Sequence, residues 1–196
     1  MSARRVLHSV AVVAALAALM GAACGDPPDK EIQQAQGAID TARAAGADLY
    51  ATTEYSAAQD ALKRANEAVE QRDYRLALNN ALDARERAQN AAKEAADRKT
   101  TARSEAERAL LDAMTALNDA HTKLRAAETA HAPPKLLTTA RHVITDGEDT
   151  VQKAREAFDN QDYLGVKTTV SGMTGRLKAA AGELEAAAPG SNRRRR

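Results

Sequence analysis

The sequence is poor in the residues that form disulfides, metal clusters and aromatic cores. Its 196 residues include one cysteine, no tryptophan, one phenylalanine and four tyrosines. A single cysteine excludes an internal disulfide and a cysteine-based zinc cluster, so stability must come from packing. Strand signals are also lacking, because Val, Ile and Thr nowhere alternate with polar residues over the length of a strand.

An excess of charge of one sign is missing as well. The chain has 28 basic and 27 acidic residues and a formal net charge of +1. Residues 1–23 contain two arginines and no acid, so the remainder carries a net charge of −1, or −5 without the four C-terminal arginines. This balance gives no overall attraction for nucleic acid or for an anionic membrane. We therefore expect no nucleic-acid partner.

The N-terminal segment has the pattern of a secretory signal. Arg4 and Arg5 precede an apolar run over residues 10–20, and the small residues 21–23 follow it. The apolar run has 11 residues, whereas a membrane-spanning helix needs roughly 20. We predict that residues 1–23 form a signal peptide.

Cys24 directly follows this segment, and the arrangement resembles the lipobox of bacterial lipoproteins. The resemblance implies that the Cys24 thiol takes a diacylglycerol, that the chain is cut before it, and that the new N-terminus is acylated, for example with palmitate. Gly21 departs from the pattern, since lipoproteins usually have Leu there. Ordinary cleavage after Ala23 and an uncleaved N-terminal anchor are the alternatives. Gly25, by resemblance to lipoprotein sorting in enteric bacteria, favours the outer membrane, facing the periplasm.

The remainder is dominated by Ala, Leu and charged helix formers, with apolar or small residues at a 3–4 spacing. This spacing places one narrow apolar stripe on each helix, as the seam of a bundle requires. The first stripe runs from Ile32 to Leu49. Five more begin at Tyr55, Tyr74, Ala106, Leu137 and Tyr163. The pattern predicts an all-α fold, an elongated antiparallel helical bundle of coiled-coil-like hairpins.

An internal repeat indicates how the helices are grouped. Residues 65–74 align without gaps with residues 154–163, and Asp73 and Asp162 are the predicted N-caps of the helices that follow. We predict two related three-helix units that share a long helix. Ser104 and Glu107 would divide that helix if they formed a capping box, but the helix formers around them favour one continuous helix from Tyr74 to about His131. The predicted domains are the signal peptide 1–23, a lipidated tether 24–28, unit 1 over 29–98, unit 2 over 99–188 and a flexible basic tail 189–196.

The spacing of tyrosines and alanines in the first copy resembles an Ala-rich helical lipoprotein family of unknown function. In that family a turn similar to Gly-Asp-Tyr joins two alanine-lined helices, and some members carry a peptidoglycan-binding domain, which we do not expect here. Arg72 stands where the family often has Gly. The resemblance covers residues 40–98, more weakly 130–185, and implies no catalytic residues. Its matching positions are Ala47, Tyr50, Ala51, Tyr55, Ala58, Leu62, Ala65, Asp73, Tyr74, Ala77, Ala81 and Ala88.

No pattern of catalytic or metal-binding residues is present in the sequence. His121, His131 and His142 form no pair at metal-ligand spacing. The acidic stretch 146–149 lies within a helical stripe, so we interpret it as a solvated helix face or a local kink at Gly147. Alanine seams leave little room for the cavity of about 300 Å³ or more that a small-molecule site needs. We predict no enzyme activity and no catalytic, cofactor-binding or metal-binding residues.

The C-terminal residues Arg193, Arg194, Arg195 and Arg196 follow Pro189-Gly190. They form either a solubilising terminus or a contact with anionic lipid headgroups or cell-wall polymer, worth about 1 kcal/mol per residue near such a surface. We predict a lipoprotein anchored to the membrane at Cys24 that acts as a helical scaffold or protein-interaction module of the cell envelope, through protein partners or self-association. The alternative is a periplasmic chaperone-like or lipid-binding bundle.

Overall fold

A computed structural model describes residues 26–187 of the chain. The signal peptide, Cys24 and the basic tail 189–196 lie outside the described residues. Within the described range, no helix combines the length and the apolar character needed to cross a membrane.

Residues 26–187 form six α-helices and no β-strand. The predicted all-α class is therefore confirmed. Pro133-Pro134 separates two helices, and the fifth helix begins at Pro134. Proline is common at the first position of a helix, where its missing N–H group is not needed. The helices are α1 (Asp29–Ala44), α2 (Ala47–Tyr50), α3 (Thr52–Glu70), α4 (Tyr74–Thr129), α5 (Pro134–Asp159) and α6 (Tyr163–Ala187).

The 56-residue helix α4 is continuous through residues 97–104. The prediction of one long helix is confirmed, and Ser104 lies inside it rather than at a cap. Glu107 accepts a hydrogen bond from Nε of Arg103 at 3.1 Å, one turn away. Contacts divide the chain between Ala96 and Asp97, so α4 contributes its first part to unit 1 and its last part to unit 2.

Each unit is a helical bundle whose core is built mainly of alanine. Small side chains let helix backbones approach closely and leave the polar faces outside. No charged side chain of residues 26–187 is buried. In unit 1 the largest fully buried side chain is Ile39, and in unit 2 they are Leu177, Leu184, Val166 and Val170.

The prediction that Leu49 lies in a helix seam is wrong. Its side chain is 66% exposed, whereas Ala47 and Tyr50 are buried in its place. Gly46 adopts a left-handed conformation with φ of 84° and separates α1 from α2. Because a left-handed residue changes the direction of the chain, the 3–4 spacing of α1 cannot be extended across it.

The two copies of the internal repeat form the same turn. The backbone N–H groups of Arg72 and Asp73 donate to the carbonyls of Val69 and Ala68, both at 2.9 Å. This is the Schellman pattern that ends many helices. In the second copy, Gln161 and Asp162 donate to Phe158 and Ala157, also at 2.9 Å.

Asp73 and Asp162 are the N-caps that the sequence predicted. The Asp73 carboxylate accepts a hydrogen bond from the Leu76 N–H at 3.0 Å, and Asp162 accepts one from the Gly165 N–H at 2.9 Å. In unit 2, the ring of Tyr163 packs on Phe158 with a centroid distance of 5.3 Å. Tyr74 is only half-buried, and Val69 stands where the second copy has Phe158.

Arg72 has a φ of 59°, and a glycine at this position is expected to stabilise unit 1. A residue with a Cβ is destabilised by about 1–2 kcal/mol in the left-handed region. Glycine avoids this strain, but part of the gain is offset because glycine gives the unfolded chain more conformational freedom. We expect Arg72→Gly to raise the free energy of unfolding by about 0.5–1 kcal/mol, measured as a higher urea midpoint. Gln71→Gly is the matched control, because Gln71 has a φ of −81° and should lose about as much. A lower midpoint for Arg72→Gly would contradict the left-handed assignment.

Candidate functional site

The three acids of the stretch 146–149 lie on a solvated face of α5, and the helix continues through them. Asp146 accepts a hydrogen bond from Nη2 of Arg176 at 2.9 Å, which joins α5 to α6. Glu148 lies 3.0 Å from Nε2 of His121 and joins α5 to α4. Two of the three acids are thus paired with other helices. Among residues 26–187, no group of three or more acidic or histidine side chains is placed to hold a metal ion.

The other two histidines lie outside this stretch. His131 is exposed in the loop between α4 and α5, in a left-handed conformation with φ of 57°. His142 is exposed on α5. The three histidines of the described range therefore form no common site.

Gly147 lies within the core of unit 2, where three helices meet. A Cβ at this position would lie 2.9 Å from Cδ2 of Leu177 on α6 and 3.3 Å from Cδ1 of Leu117 on α4. Real Cβ atoms almost never approach another heavy atom within 3.0 Å. Gly147 therefore permits a close approach of the three helices. The sequence alone did not distinguish this role from a local kink in the helix.

Interhelical ion pairs cover the surface of both units. In unit 1, Arg87 donates to Asp83 at 2.9 Å and to Glu54 at 3.4 Å, and Asp83 also lies 3.7 Å from Arg64. The hydrogen bond to Asp83, with a smaller effect of Glu54, raises the pKa of Arg87 above its ordinary value. These charges hold α3 and α4 together rather than converging on a substrate.

In unit 2, the corresponding pairs are Lys167–Glu105 at 2.8 Å, Arg141–Glu128 at 2.6 Å and Lys123–Glu185 at 3.0 Å. The hydrogen bond from Lys167 lowers the pKa of the Glu105 carboxyl below its ordinary value. Exposed pairs of this kind contribute about 0–1 kcal/mol each, so they orient the helices more than they stabilise them.

Unit 1 has a groove between α1 and α3. It has a volume of about 570 Å³ and is open to solvent. The groove lies outside the alanine seam, between long side chains, so the expectation that the seam itself leaves little room does not apply to it. Ile39 and Leu62 lie at its base. The lining residues are Gln36, Ile39, Arg43, Gln59, Leu62, Lys63, Asn66, Glu67 and Glu70.

The groove carries charges of both signs at its rim. Arg43 is held by a hydrogen bond from its Nε to the hydroxyl of Tyr55 at 2.8 Å, and Lys63 lies 3.9 Å from Glu67. Because Arg43 and Lys63 already have these partners, the groove does not offer a set of hydrogen-bond donors that point at one ionised group of a ligand. The sequence placed Ile39 and Leu62 in the apolar stripes of their helices, but no sequence pattern predicted the groove.

A smaller cavity lies between α4 and α5 in unit 2. Its volume is about 190 Å³, below the roughly 300 Å³ that small-molecule sites usually have. Arg155 reaches across it and donates from Nη2 to the sulfur of Met114 at 3.4 Å. Met114, Glu148 and Arg155 are among its lining residues.

Comparison with known proteins identifies one region of similarity. The sequence model of a family described as "Domain of unknown function (DUF4398)" matches residues 30–109. The match begins in α1, covers the first Asp-Tyr turn and ends in α4. No curated protein and no solved structure matches the chain. Residues 30–109 are therefore similar to a family whose function is not known.

Proposed function

We propose that the chain is a bacterial lipoprotein, anchored through a lipid on Cys24, that serves as a helical scaffold or interaction module of the cell envelope. The observation that carries the proposal is the position of Cys24, the only cysteine, directly after a signal-like segment. Gly25 supports an outer-membrane location facing the periplasm. The helices would begin only a few residues from the membrane, since α1 starts at Asp29.

The use of polar side chains in residues 26–187 supports an interaction role over catalysis. Ion pairs link α3 to α4, α4 to α5 and α5 to α6 at the surface. Every buried side-chain nitrogen or oxygen in the described range has a hydrogen-bond partner. A catalytic site usually holds several titratable groups with perturbed pKa values in one cleft. Here Arg87 and Glu105 belong to surface pairs. Arg43, which lines the groove between α1 and α3, is held by its hydrogen bond to Tyr55. We therefore propose that the protein is not an enzyme.

Metabolic labelling tests the anchor directly. Cells that express the chain are grown with a palmitate analogue, and the wild type is compared with Cys24→Ser. We expect the variant to lose the label completely and to move from the membrane to the soluble fraction, since no other thiol is present. Equal labelling of both chains would refute lipidation at Cys24. Crosslinking in intact envelopes, with the anchored and unanchored chains compared, then identifies protein partners that depend on the anchor.

The groove between α1 and α3 favours a second candidate function, a chaperone-like or lipid-binding bundle. Its volume is sufficient for a small apolar ligand, and Ile39 and Leu62 supply an apolar base. The two functions differ in what the native protein binds. Binding of an apolar dye to the folded chain, lost in Leu62→Glu but not in the exposed control Leu49→Glu, would favour the second function over the first.

A further inference from the structure

Helix α6 carries small residues on the face opposite its buried one. The inner face contains Val166, Val170, Leu177 and Leu184, all buried. The outer face repeats small side chains at alternating spacings of four and three residues, and all are exposed. They are Thr168, Gly172, Gly175, Ala179 and Gly182.

The glycines on this outer face are not required by the packing of the described residues. A Cβ at Gly172, Gly175 or Gly182 would have no atom within 4 Å. Glycine inside an exposed helix is less favourable than alanine, because it loses more backbone freedom on folding. Three glycines on one face therefore weaken α6 without any compensating contact within the described unit.

Elsewhere in the chain, small residues at the same spacing lie under another helix. Ala77, Ala81, Ala84 and Ala88 of α4 are fully buried in unit 1. Such stripes allow two helix backbones to approach closely. The outer face of α6 has small residues at the same spacing as these covered stripes, but it is exposed.

The charges beside the stripe are arranged so that the face is complementary to itself. The self-complementary part is residues 175–186, where the stripe continues to Ala186. Arg176 and Lys178 flank it near Gly175 and Ala179, and Glu183 and Glu185 flank it near Gly182 and Ala186. When two copies of α6 run antiparallel about the point between residues 180 and 181, Gly175 lies opposite Ala186 and Ala179 opposite Gly182. Lys178 then faces Glu185 of the second copy, and Arg176 faces Glu183 of the second copy.

We propose that the outer face of α6 is a self-association surface, on which the same face of a second copy of this chain packs antiparallel. The two-fold symmetry of such a contact repeats each charge pair, so four pairs of opposite charge form. Arg176 and Glu185 are already paired within the chain, with Asp146 and Lys123, but are 54% and 63% exposed and can accept a second partner. The charges set the orientation of the helices, and the small residues allow their contact.

This proposal deepens the proposed scaffold function. The membrane anchor is not needed for the contact itself and affects only how strongly the two copies associate in the cell. A contact along one helix face is small, so we expect a weak dimer in solution. Anchoring two copies to one membrane raises their effective concentration and favours the pair.

The test is sedimentation equilibrium of the purified full chain over micromolar to submillimolar concentrations. The double variant Gly175→Gln/Gly182→Gln should show a dissociation constant at least about tenfold larger than the wild type, because the longer side chains separate the helices. The same variant should unfold at a higher temperature as a monomer, since glutamine favours the helix over glycine. Gly37→Gln on α1, where a Cβ also has no atom within 4 Å, is the control, expected to raise stability and leave association unchanged.

A charge exchange tests the antiparallel orientation. In Lys178→Glu/Glu183→Lys, residue 178 would face Glu185 and residue 183 would face Arg176 of the second copy, so both pairs become repulsive. We expect this variant to remain folded and monomeric at every concentration. Undiminished association in this variant, or in the double glutamine variant, would overturn the proposal. A wild-type chain that stays monomeric throughout would overturn it too, whether or not Cys24 is labelled in cells, which keeps the two proposals separately testable.

Discussion

Leu177→Ala is expected to destabilise unit 2 by about 2–5 kcal/mol, the usual range for truncating a fully buried leucine. Leu177 is 0% exposed and packs in a core with Ile144 and Leu184. Six of the ten buried residues of this core are alanines, which have no side-chain length with which to fill the space that the truncation creates. The loss is large compared with the 5–15 kcal/mol of a typical domain, so it should appear as a drop of roughly 10 °C or more in the Tm of unit 2.

Leu111→Ala is the matched control for this experiment. Leu111 lies on α4 in the same unit, but its side chain is 63% exposed. Its truncation should change the free energy of unfolding by no more than about 0.5 kcal/mol. Chemical denaturation followed by circular dichroism measures both variants. Equal losses for the two leucines would show that α6 does not pack on α4 and α5 as described.

Gly147→Leu is expected to destabilise unit 2 by about 2–3 kcal/mol through overpacking. The Cβ alone would lie 2.9 Å from Leu177, and the remaining side chain would need space that Leu117 and Leu177 already occupy. The gain in helix propensity, about 1 kcal/mol for replacing glycine, offsets only part of this cost.

The control for Gly147→Leu is Gly37→Leu on α1, where a Cβ would have no atom within 4 Å. That substitution should leave stability unchanged or raise it, since only the propensity gain remains. Both variants are compared by thermal unfolding at one protein concentration. If Gly147→Leu also raises the Tm, the close approach of the three helices at Gly147 is refuted.

The sequence was sufficient for the regular part of the fold. The 3–4 spacing predicted helices because burial of one face repeats every 3.6 residues. The continuity of α4 followed from the helix formers near Ser104. Asp73 and Asp162 were recognisable as caps because a carboxylate at that position satisfies a free N–H group of the next helix.

The irregular positions were not predictable in the same way. The exposure of Leu49 depends on the left-handed Gly46, across which the spacing of α1 does not continue into α2. The groove between α1 and α3 depends on how long side chains of two helices extend past their seam. The sequence placed Gly147 in a stripe, but only its distances to Leu177 and Leu117 distinguish a close contact from a kink.

What the sequence determined by itself is local: six helical stripes, two capped turns, and one cysteine behind a signal-like segment, from which the anchoring proposal follows. These features depend on residues close together in the chain, so their physical causes can be seen in the order of the residues. The tertiary structure alone decided which stripes are covered. It buried the alanines of α4 and left the glycines of α6 exposed, because coverage depends on which helices meet, and helices with nearly identical spacing do not reveal this in sequence.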